Sequence, residues 1–387
     1  MIFNLPPEQR LNPYPLYAMM RETQPLLFLE PFNTWVLFRY DDVRTALTDH
    51  ALFSNAYSSA RAGDDWKPSL ITTDPPRHTA LRGLISRAFT PGRVAQMEPR
   101  IREIANQLID AKIASGQMDV MEDLAVPLPV TVIAEMLGIP PEDRVAFKHW
   151  SDEIVASADA VVNGGSTHQG NEAMEEMRAY FAGIIAERRV TPREDMVSAL
   201  LAAEVDGVKL TEADLFSFCW LLLVAGNETT TNLIGNAVLT LLEHTDVLAE
   251  VRSDPGLLPG VVEEVLRYRS PVQAVFRLAK QDVEMGGQTI RKGQMVVTSL
   301  GSANRDAARF AEPDRFDIRR EPNPHLSFGN GIHFCLGAPL ARQEGRVALS
   351  VLLERLKGLA RSGDEPLEPA RGFIILGMKH LPVRFDM

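Results

Sequence analysis

Most of the hydrophobic pattern along this chain has the period of an α-helix. Apolar residues recur at three- and four-residue spacing over 93–114 and again over 173–188, which is typical of helices that bury one face. The predicted strands are fewer: 26–28 and 35–38, which flank a turn and predict a hairpin, and 273–279 and 294–299, on either side of Gly286-Gly287. The sequence therefore predicts a mainly α fold with a minor β-sheet portion, near 26–40 and 273–299, in one domain that spans 1–387.

The longest apolar segment predicts one unusually long helix. It begins at a capping arrangement, Thr211 to Asp214, and continues to about His244, which is roughly 32 residues or about 48 Å. Because residues 216–224 are apolar nearly all round, this helix is expected to run through the interior.

The middle of this helix departs from the pattern. Residues 225–231 place a glycine, an asparagine, a carboxylate and three threonines in a segment that is expected to be buried. Either Gly226 permits close helix packing while the threonines bond back to carbonyls one turn earlier, or a local distortion opens a polar notch. The first interpretation leaves the buried carboxylate of Glu228 unexplained, which favours the second.

Composition narrows the classes of function. Hydrophobic residues make up 45% of the chain and charged residues 24%, and the formal net charge of −11 disfavours binding to nucleic acid or to an anionic membrane. With only two cysteines, Cys219 and Cys335, a disulfide framework and a Cys-rich zinc site are excluded. No signal peptide is recognisable, and the longest apolar stretch, about nine residues, is far short of the roughly 20 that span a bilayer, so a cytoplasmic protein is expected.

The segment 328–337 carries the strongest chemical signal. Gly329, Gly331 and Gly337 surround Cys335, and a helical pattern follows. A cysteine just before a helix N-terminus lies where the helix dipole favours the thiolate, and the glycines leave space for something flat and bulky. Taken alone, Cys335 could be a buried structural thiol, a catalytic nucleophile or a metal ligand. The nucleophile needs a nearby base, and His333 cannot easily turn back onto Cys335.

This segment fits the pattern F-x-x-G-x-x-x-C-x-G at every specified position, and it resembles the haem-binding loop of the cytochrome P450 superfamily. Three further segments agree in the expected chain order: Ala225-Gly-Asn-Glu-Thr-Thr230 resembles the oxygen-activating stretch of the family's long central helix, Glu264-Val-Leu-Arg267 its E-x-x-R pair, and Pro313-Asp-Arg-Phe316 its P-x-R-F partner. The segment Asp74-Pro-Pro-Arg-His78 and the lack of a membrane anchor are similar to the soluble bacterial branch.

The resemblance implies haem b as the cofactor, with the Cys335 thiolate as the axial ligand of the iron, which favours O–O cleavage. It places Thr229 and Glu228 over the opposite haem face, where Thr229 hydrogen-bonds dioxygen, Glu228 relays protons, and Gly226 leaves space for the ligand. The other residues that it places at the cofactor are Ala225, Phe328 and Gly337.

The two haem propionates need cationic partners. In the resemblance His78 and Arg82, one helical turn apart, match propionate-binding positions, and so do Arg277 and His333. Each of the four has a plainer interpretation as a surface residue or a satisfied core residue.

The E-x-x-R pair is weak by itself, because the pattern occurs four times in the chain. Glu264 is selected because it lies in an apolar helical run, 261–268, between the long helix and the cysteine loop. The three-residue spacing puts Glu264 and Arg267 on one helix face, and Arg315 is expected to complete a buried charge triad with a structural role.

Charge and apolar segments indicate the partners. Six arginines and a single acid, Glu98, lie between Arg77 and Arg102, and either neighbours in space neutralise them or they form a docking face for an acidic electron donor. Since this chain has no flavin- or iron–sulfur-binding segment, a ferredoxin or flavodoxin-type donor with its reductase is expected, with NAD(P)H an indirect electron source. The expected substrate-pocket segments are apolar and favour a lipophilic small molecule: 56–71, 161–171, 272–276 and 373–376.

Three functions remain open from the sequence. The leading one is a haem-thiolate monooxygenase that hydroxylates or epoxidises its substrate. The second is a peroxide-driven enzyme with the same haem, which Glu228-Thr229 disfavours because a proton relay serves dioxygen activation. The third is a haem-based gas sensor or carrier, which no signalling or DNA-binding segment supports.

Overall fold

Helices make up most of the structure, a computed structural model that describes residues 5–57, 69–163, 168–205, 207–370 and 374–386, with backbone only for 7–8, 155–163 and 168–169. The helices are α1 (Pro7–Arg10), α2 (Tyr14–Thr23), α3 (Tyr40–Thr48), α4 (Arg77–Ala88), α5 (Pro91–Gln96), α6 (Glu98–Ile113), α7 (Pro127–Met136), α8 (Arg144–Asn163), α9 (His168–Val190), α10 (Met196–Ala202), α11 (Glu212–Glu243), α12 (Thr245–Ser253), α13 (Leu258–Tyr268), α14 (Leu300–Ala303) and α15 (Ala338–Arg355). The strands are β1 (Leu26–Leu29), β2 (Thr34–Leu37), β3 (Phe53–Ser54), β4 (Gln117–Asp119), β5 (Glu204–Val205), β6 (Val208–Lys209), β7 (Ala274–Ala279), β8 (Val283–Met285), β9 (Gln288–Ile290), β10 (Met295–Ser299), β11 (Lys357–Arg361) and β12 (Pro382–Asp386). The predicted fold class, mainly α with minor sheets, is confirmed.

The predicted N-terminal hairpin is present. Strands β1 and β2 pair antiparallel, and Asn33 adopts a left-handed conformation with φ of 47° in the turn between them, which asparagine tolerates better than most residues. The hairpin belongs to a sheet of order β1-β2-β10-β7-β3, in which β10 lies parallel to β2 and antiparallel to β7. The turn at Gly286-Gly287 does not join β7 to β10 directly, because it belongs to the separate hairpin β8–β9 between them.

The apolar pattern over 93–114 is divided between two helices, which corrects the expectation of one. Helix α5 ends at Gln96, and α6 begins at Glu98 with Pro99 in its first turn. Proline lacks the N–H group that a continuous helix would need there and is favoured at a helix start, so the break falls just before it.

The long helix has the predicted extent. Helix α11 runs for 32 residues from a capping box in which the Thr211 hydroxyl accepts from the Asp214 amide and the Asp214 carboxylate accepts from the Thr211 amide. It packs against α7, α13 and α15, and its apolar side chains belong to the largest hydrophobic cluster. This arrangement brings the polar segment of α11 into the interior, on the same core as the helix that follows the cysteine loop.

Candidate active site

The glycines of the 328–337 loop are required by its backbone. Gly329 and Gly331 have φ of 71° and 73°, in the left-handed region that favours glycine. A Cβ atom on Gly331 would also lie 3.0 Å from the carbonyl oxygen of Leu47. The amide of Cys335 donates to the carbonyl of Phe328 at 2.9 Å and closes the loop. The loop therefore holds Cys335 just before α15, where the sequence predicted it.

The surroundings of the Cys335 thiol bear on its possible roles. Burial has the largest effect and raises its pKa, while the amides of Gly337 and Ala338 and the charges of Arg82 and Arg342 act in the opposite direction. A nucleophile needs a lowered pKa, and although protein atoms surround the sulfur, Cys335 keeps accessible surface, unlike a structural thiol packed in the core. Its accessible surface just before α15 is compatible with metal ligation, in which a bound metal ion would deprotonate the thiol.

Four basic side chains from three elements converge near this thiol. His78 and Arg82 lie on α4, Arg277 lies on β7, and His333 lies in the cysteine loop. The ring centroids of His78 and His333 are 4.1 Å apart. Burial lowers the pKa of His333 to about 3, and the electrostatic effects of His78, Arg277 and Arg82 contribute to the lowering. The structure thus brings together all four residues that were predicted to hold the propionates.

These side chains lack the partners that buried polar groups normally have. Both ring nitrogens of His78 and Nε2 of His333 are buried, and none of them has a hydrogen-bond partner among the described residues. Arg277 is 5% exposed, donates to the carbonyl of Phe276 at 2.7 Å, and has its pKa lowered by burial to about 10. Within the described part of the chain, neither Arg82 nor Arg277 forms a salt bridge. Unpaired buried donors and cations fit a group that brings two carboxylates, and haem carries two propionates.

Helix α11 presents an accessible stripe in its otherwise buried middle. Ala225 is exposed and Glu228 and Thr229 are half-buried, whereas Asn227 and Thr230 are buried. Thr229 Oγ1 donates to the Ala225 carbonyl at 2.8 Å, as expected for a threonine that bonds back to the preceding turn. The helix remains α-helical throughout, so the expected local distortion is wrong and side chains alone form the polar notch.

Gly226 has a packing explanation. A Cβ atom there would lie 2.8 Å from Cδ1 of Ile133 on α7, so the glycine allows these two helices to approach closely. The expectation that Gly226 leaves space for a ligand is therefore corrected, because its missing side chain would point at Ile133. The accessible surface at this turn belongs to Ala225.

Phe328 and Gly337 frame the cysteine loop. The guanidinium of Arg342 lies 4.6 Å from the centre of the Phe328 ring, and the Phe334 ring lies 6.2 Å from it. A Cβ atom on Gly337 would lie 3.9 Å from Cys335 Sγ, which is an ordinary contact. Phe328 therefore supports the loop from its packed side, and glycine at 337 keeps the surroundings of the sulfur uncrowded.

Glu264 and Arg267 form the predicted buried pair, with side-chain exposures of 1% and 0%. Arg267 uses all five of its N–H donors: Nε and Nη2 donate to the Glu264 carboxylate at 2.9 and 2.7 Å, and three bonds reach the carbonyls of Asn304, Pro313 and Arg315. This network ties α13 to the chain that leads into the cysteine loop.

The predicted triad is wrong in its third member. The Arg315 side chain is exposed and pairs with Glu312, so Arg315 contributes only its backbone carbonyl. The second cation on Glu264 is Arg320, whose Nε lies 3.2 Å from Oε1 and whose side chain is 10% exposed. The chain turns between these positions, and no spacing in the sequence indicates that Arg320 returns to Glu264 from 56 positions away.

Three of the six arginines in the arginine-rich stretch are neutralised, and its single acid pairs with an arginine from outside the stretch. The pairs are Arg77–Asp214 at 2.7 Å, Arg100–Glu135 at 2.7 Å, Arg102–Glu354 at 3.4 Å and Arg346–Glu98 at 2.5 Å. Arg87 and Arg93 are exposed and form no ion pair with any residue that the structure describes. The neutralised interpretation is therefore confirmed for Arg77, Arg100 and Arg102, and any docking face on this stretch is smaller than the sequence count indicated.

The predicted substrate segments are described only in part. Residues 58–68, 164–167 and 371–373, with Phe373, lie outside the described residues. In the remainder, Ile71 is 45% exposed, the Phe276 ring lies 5.9 Å from that of Tyr57, and Val272 forms a β-bridge with Ile375.

Two polar contacts near the site escaped the sequence prediction. The Asp74 carboxylate accepts from the Ser54 hydroxyl at 2.5 Å and from the Asn55 amide at 2.9 Å, which places an acid near the four basic residues. Asn227 Nδ2 donates to Ser151 Oγ at 2.8 Å, between α11 and α8. The sequence does contain a signal for Asp74, because this residue precedes Pro-Pro at a helix start. It contains no signal for the contact between Asn227 and Ser151.

An accessible cysteine at a helix start, basic residues without salt bridges around it and a polar notch on a long buried helix fit a haem-thiolate protein. The family model described as "Cytochrome P450" matches residues 18–255 and 256–386. "Cytochrome P450 109" of Bacillus spizizenii is 46% identical over 382 residues, which cover 97% of this chain and 93% of that protein. The chain belongs to the cytochrome P450 family.

Solved structures agree with this assignment. Cytochrome P450 CYP109Q5 from Chondromyces apiculatus superimposes with a TM-score of 0.92 at 45% identity, covering 100% of this chain and 99% of that one. CYP109E1 from Bacillus megaterium, solved in complex with testosterone, has a TM-score of 0.89 at 41% identity, covering 97% and 100%.

The family and its relatives also establish the class of reaction. Relatives at 40–42% identity are named as a monooxygenase, an epoxidase and a hydroxylase, and this chain is a P450 monooxygenase whose family implies a haem cofactor. Within the described ranges, every helix is too short or too polar to cross a bilayer.

Proposed function

We propose that this monooxygenase inserts one atom of dioxygen into a lipophilic small molecule, with electrons from a separate ferredoxin- or flavodoxin-type protein. The balance is RH + O2 + 2 e− + 2 H+ → ROH + H2O, or an epoxide from an alkene. The observation that carries the proposal is the accessible Cys335 beside buried ring nitrogens of His78 and His333 that have no hydrogen-bond partner, and beside Arg277, which forms no salt bridge, among the described residues. Bound through Cys335, haem supplies the activation of dioxygen, and thiolate donation favours O–O cleavage.

The residues of the chain hold the cofactor and deliver protons. Arg82 and Arg277, with His78 and His333, would bind the two propionates and so gain carboxylate partners, which none of the four has among the described residues. The Thr229 hydroxyl donates to the Ala225 carbonyl, which leaves its oxygen lone pairs available to accept a hydrogen bond. Glu228, next to it and half-buried, moves protons from solvent toward Thr229.

A lipophilic substrate suits the described side of the pocket. Ile71, Val272 and Phe276 contribute apolar surface, and the Tyr57 ring packs near Phe276. Arg277, the nearest described cation on β7, is assigned to a propionate rather than to the substrate. The testosterone complex of CYP109E1 supports the same class of compound.

The cysteine content supports the proposal of a separate electron donor, because this stretch of chain cannot itself hold an iron–sulfur cluster. Cys219 is fully buried, burial raises its pKa to about 12, and it is the one cysteine besides Cys335. Two cysteines are too few for the four thiolates of an iron–sulfur cluster. Arg87 and Arg93 give an acidic donor exposed cations to contact.

The test is a product assay with three arms on purified holoprotein. A panel of lipophilic compounds, testosterone included, is screened by the change in haem absorption, and compounds that shift it are incubated with NAD(P)H and a ferredoxin system, with peroxide alone, or with neither. We expect oxidised product in the first arm. Product with peroxide alone would assign a peroxide-driven enzyme, and product in no arm would overturn the proposal.

Thr229→Ala tests the proton relay within the same assay. We expect haem to remain bound while reducing equivalents are diverted to hydrogen peroxide. Thr240→Ala is the matched control, because Thr240 lies on the same helix, donates to the Asn236 carbonyl one turn earlier at 2.6 Å and is remote from the polar notch. Unchanged coupling in Thr229→Ala would remove Thr229 from the mechanism.

A further inference from the structure

Glu263, the residue directly before the buried Glu264, contacts the elements on either side of the cysteine. One step along an α-helix turns the side chain by about 100°, so Glu263 lies on a different side of α13 from Glu264. The Glu263 carboxylate accepts from Nε and Nη2 of Arg342 at 2.5 and 3.0 Å. This two-bonded pairing fixes the plane of the guanidinium. It joins α13 to the second turn of α15, the helix that follows Cys335.

His325 bonds to the same carboxylate from the chain that enters the loop. The amide of Ser327 donates to His325 Nδ1 at 3.3 Å, so the proton of the neutral ring lies on Nε2. Nε2 lies 3.1 Å from the Glu263 carboxylate and donates to it. Burial raises the pKa of Glu263, but the hydrogen bonds from His325 and Arg342 outweigh that effect and lower the pKa to about 2. The carboxylate is therefore ionised at neutral pH.

The partners of Glu263 pack around Phe328. The Arg342 guanidinium lies 4.6 Å from the centre of the Phe328 ring, and the His325 ring centre lies 6.0 Å from it. The carbonyl of Phe328 accepts from the Cys335 amide. Glu263, His325 and Arg342, named the clamp from here on, therefore hold the residue to which the backbone of the cysteine is bonded.

The clamp also brings two opposite charges near the sulfur. Burial has the largest effect on the Cys335 thiol and raises its pKa, while the charge of Arg342 is among those that act against it, so the field of this guanidinium reaches the sulfur. The side chains of Arg342 and Glu263 are 36% and 35% exposed, so solvent screens both to a similar extent. Because the carboxylate is bonded to the guanidinium, its charge offsets part of that field.

We infer that the clamp sets the electrostatic potential at the Cys335 thiolate and thereby the reduction potential of the bound haem, with Arg342 and Glu263 acting in opposite directions. This inference rests on the proposed ligation of haem through Cys335. Reduction adds one negative charge at the iron, which a neighbouring cation stabilises and a neighbouring carboxylate opposes. Arg342 therefore raises the reduction potential and Glu263 lowers it, while His325 is a positioning residue that keeps the carboxylate in place.

The test is the reduction potential of the purified holoprotein, measured by spectroelectrochemical titration with mediator dyes at neutral pH and low ionic strength. For Glu263→Gln, we expect the ratio of reduced to oxidised haem at a fixed potential to rise about threefold, which is about 28 mV for one electron. Arg342→Gln should lower that ratio about threefold, because it removes the positive charge. The double variant loses both charges and should return to within about 1.5-fold of the wild type.

A clamp that acts only by holding the loop predicts a different pattern. Breaking the same contact from either side would then move the potential in one direction, and the double variant would differ from the wild type as much as each single variant does. That pattern, or a wild-type potential in both single variants, overturns the inference. Should Glu263→Gln fail to give holoprotein, the sign of the shift in Arg342→Gln still decides, because a rise or no change contradicts the role of its charge.

Arg342→Lys separates the charge from the geometry. Lysine keeps the positive charge but loses the planar fork that bonds the carboxylate twice. We expect its potential to stay near that of the wild type. The absorption band of the reduced protein with carbon monoxide that marks thiolate ligation should decay faster on warming, because Phe328 is held less firmly. A potential as low as that of Arg342→Gln would overturn the inference.

The matched control is Glu98→Gln. Glu98 pairs with Arg346, one turn after Arg342 on α15, at 2.5 Å, and the two side chains are 38% and 32% exposed. The substitution removes an equally exposed carboxylate from an equally exposed guanidinium, so it reports the effect of net charge alone. We expect it to change the ratio less than half as much as Glu263→Gln, and an equal change would overturn the inference. A wild-type protein without the thiolate band overturns the proposed function instead.

Discussion

Two buried clusters of charged and polar side chains differ in one respect. Around Glu264 and Arg267, every donor of the guanidinium and both carboxylate oxygens have partners. Around Cys335, the ring nitrogens of His78 and Nε2 of His333 have none. A complete network stabilises the fold by itself, whereas an incomplete one costs free energy until an outside group completes it. The difference supports the proposal that the first cluster is structural and that the second holds the cofactor.

The largest expected effect is the loss of haem affinity when the sulfur of Cys335 is removed. Cys335→Ala removes the proposed iron ligand, and we expect haem affinity to fall by more than about 100-fold, because even residues that only support a ligand change metal affinity by about 10–100-fold. The measurement is the long-wavelength absorption band of the reduced protein with carbon monoxide. Cys219→Ala is the control and should retain the band, since Cys219 is fully buried away from the loop. A normal band in Cys335→Ala would mean that haem is held by another residue.

The second prediction concerns the stability that the hydrogen-bond network around Glu264 and Arg267 gives to the fold. Glu264→Ala leaves Arg267 as a buried cation without its carboxylate, at an expected cost of about 3–5 kcal/mol in the free energy of unfolding. Urea denaturation and the yield of holoprotein measure it. Arg315→Ala removes an exposed guanidinium and should cost less than about 0.5 kcal/mol. Similar costs for the two variants would show that Arg315 belongs to the network after all.

Local spacing explains what could be predicted of these clusters. The Glu264–Arg267 pair is three residues apart on one helix, and the cysteine loop is a continuous motif, so both were recognisable from the sequence. Arg320 was missed because it reaches Glu264 through the path of the chain, which carries no periodic signal. The break before α6 was missed for a different reason: the apolar period continues through it, although Pro99 indicates a new helix start.

The third prediction compares the same substitution, arginine to leucine, in the two clusters. Arg277→Leu removes a buried cation without a salt bridge, so we expect the haem-free chain to unfold no more easily than wild type, and haem affinity to fall by roughly 10- to 150-fold, or about 1.5–3 kcal/mol. Arg267→Leu, the same substitution in the complete network, should instead destabilise the chain by about 3–5 kcal/mol. Denaturation and haem titration of both variants provide the comparison. Equal destabilisation of the haem-free chains would contradict it.

The smallest effect is a pH dependence that haem should suppress. The pKa of His333 is lowered to about 3, mainly by burial, from its ordinary value of 6.5. Below pH 6.5 the unfolded chain therefore binds a proton that the folded chain does not, and the stability of the haem-free protein falls as the pH drops from 6.5 toward 3. The His333→Gln variant cannot take up this proton. The slope of its unfolding free energy against pH should therefore be smaller than that of the wild type, by at most the contribution of about one bound proton. In the holoprotein, a propionate beside His333 favours the protonated ring, so the two pH profiles should lie closer together than in the haem-free chains. Denaturation across this range, with and without haem, measures the four profiles, and identical haem-free profiles would remove His333 from the incomplete cluster.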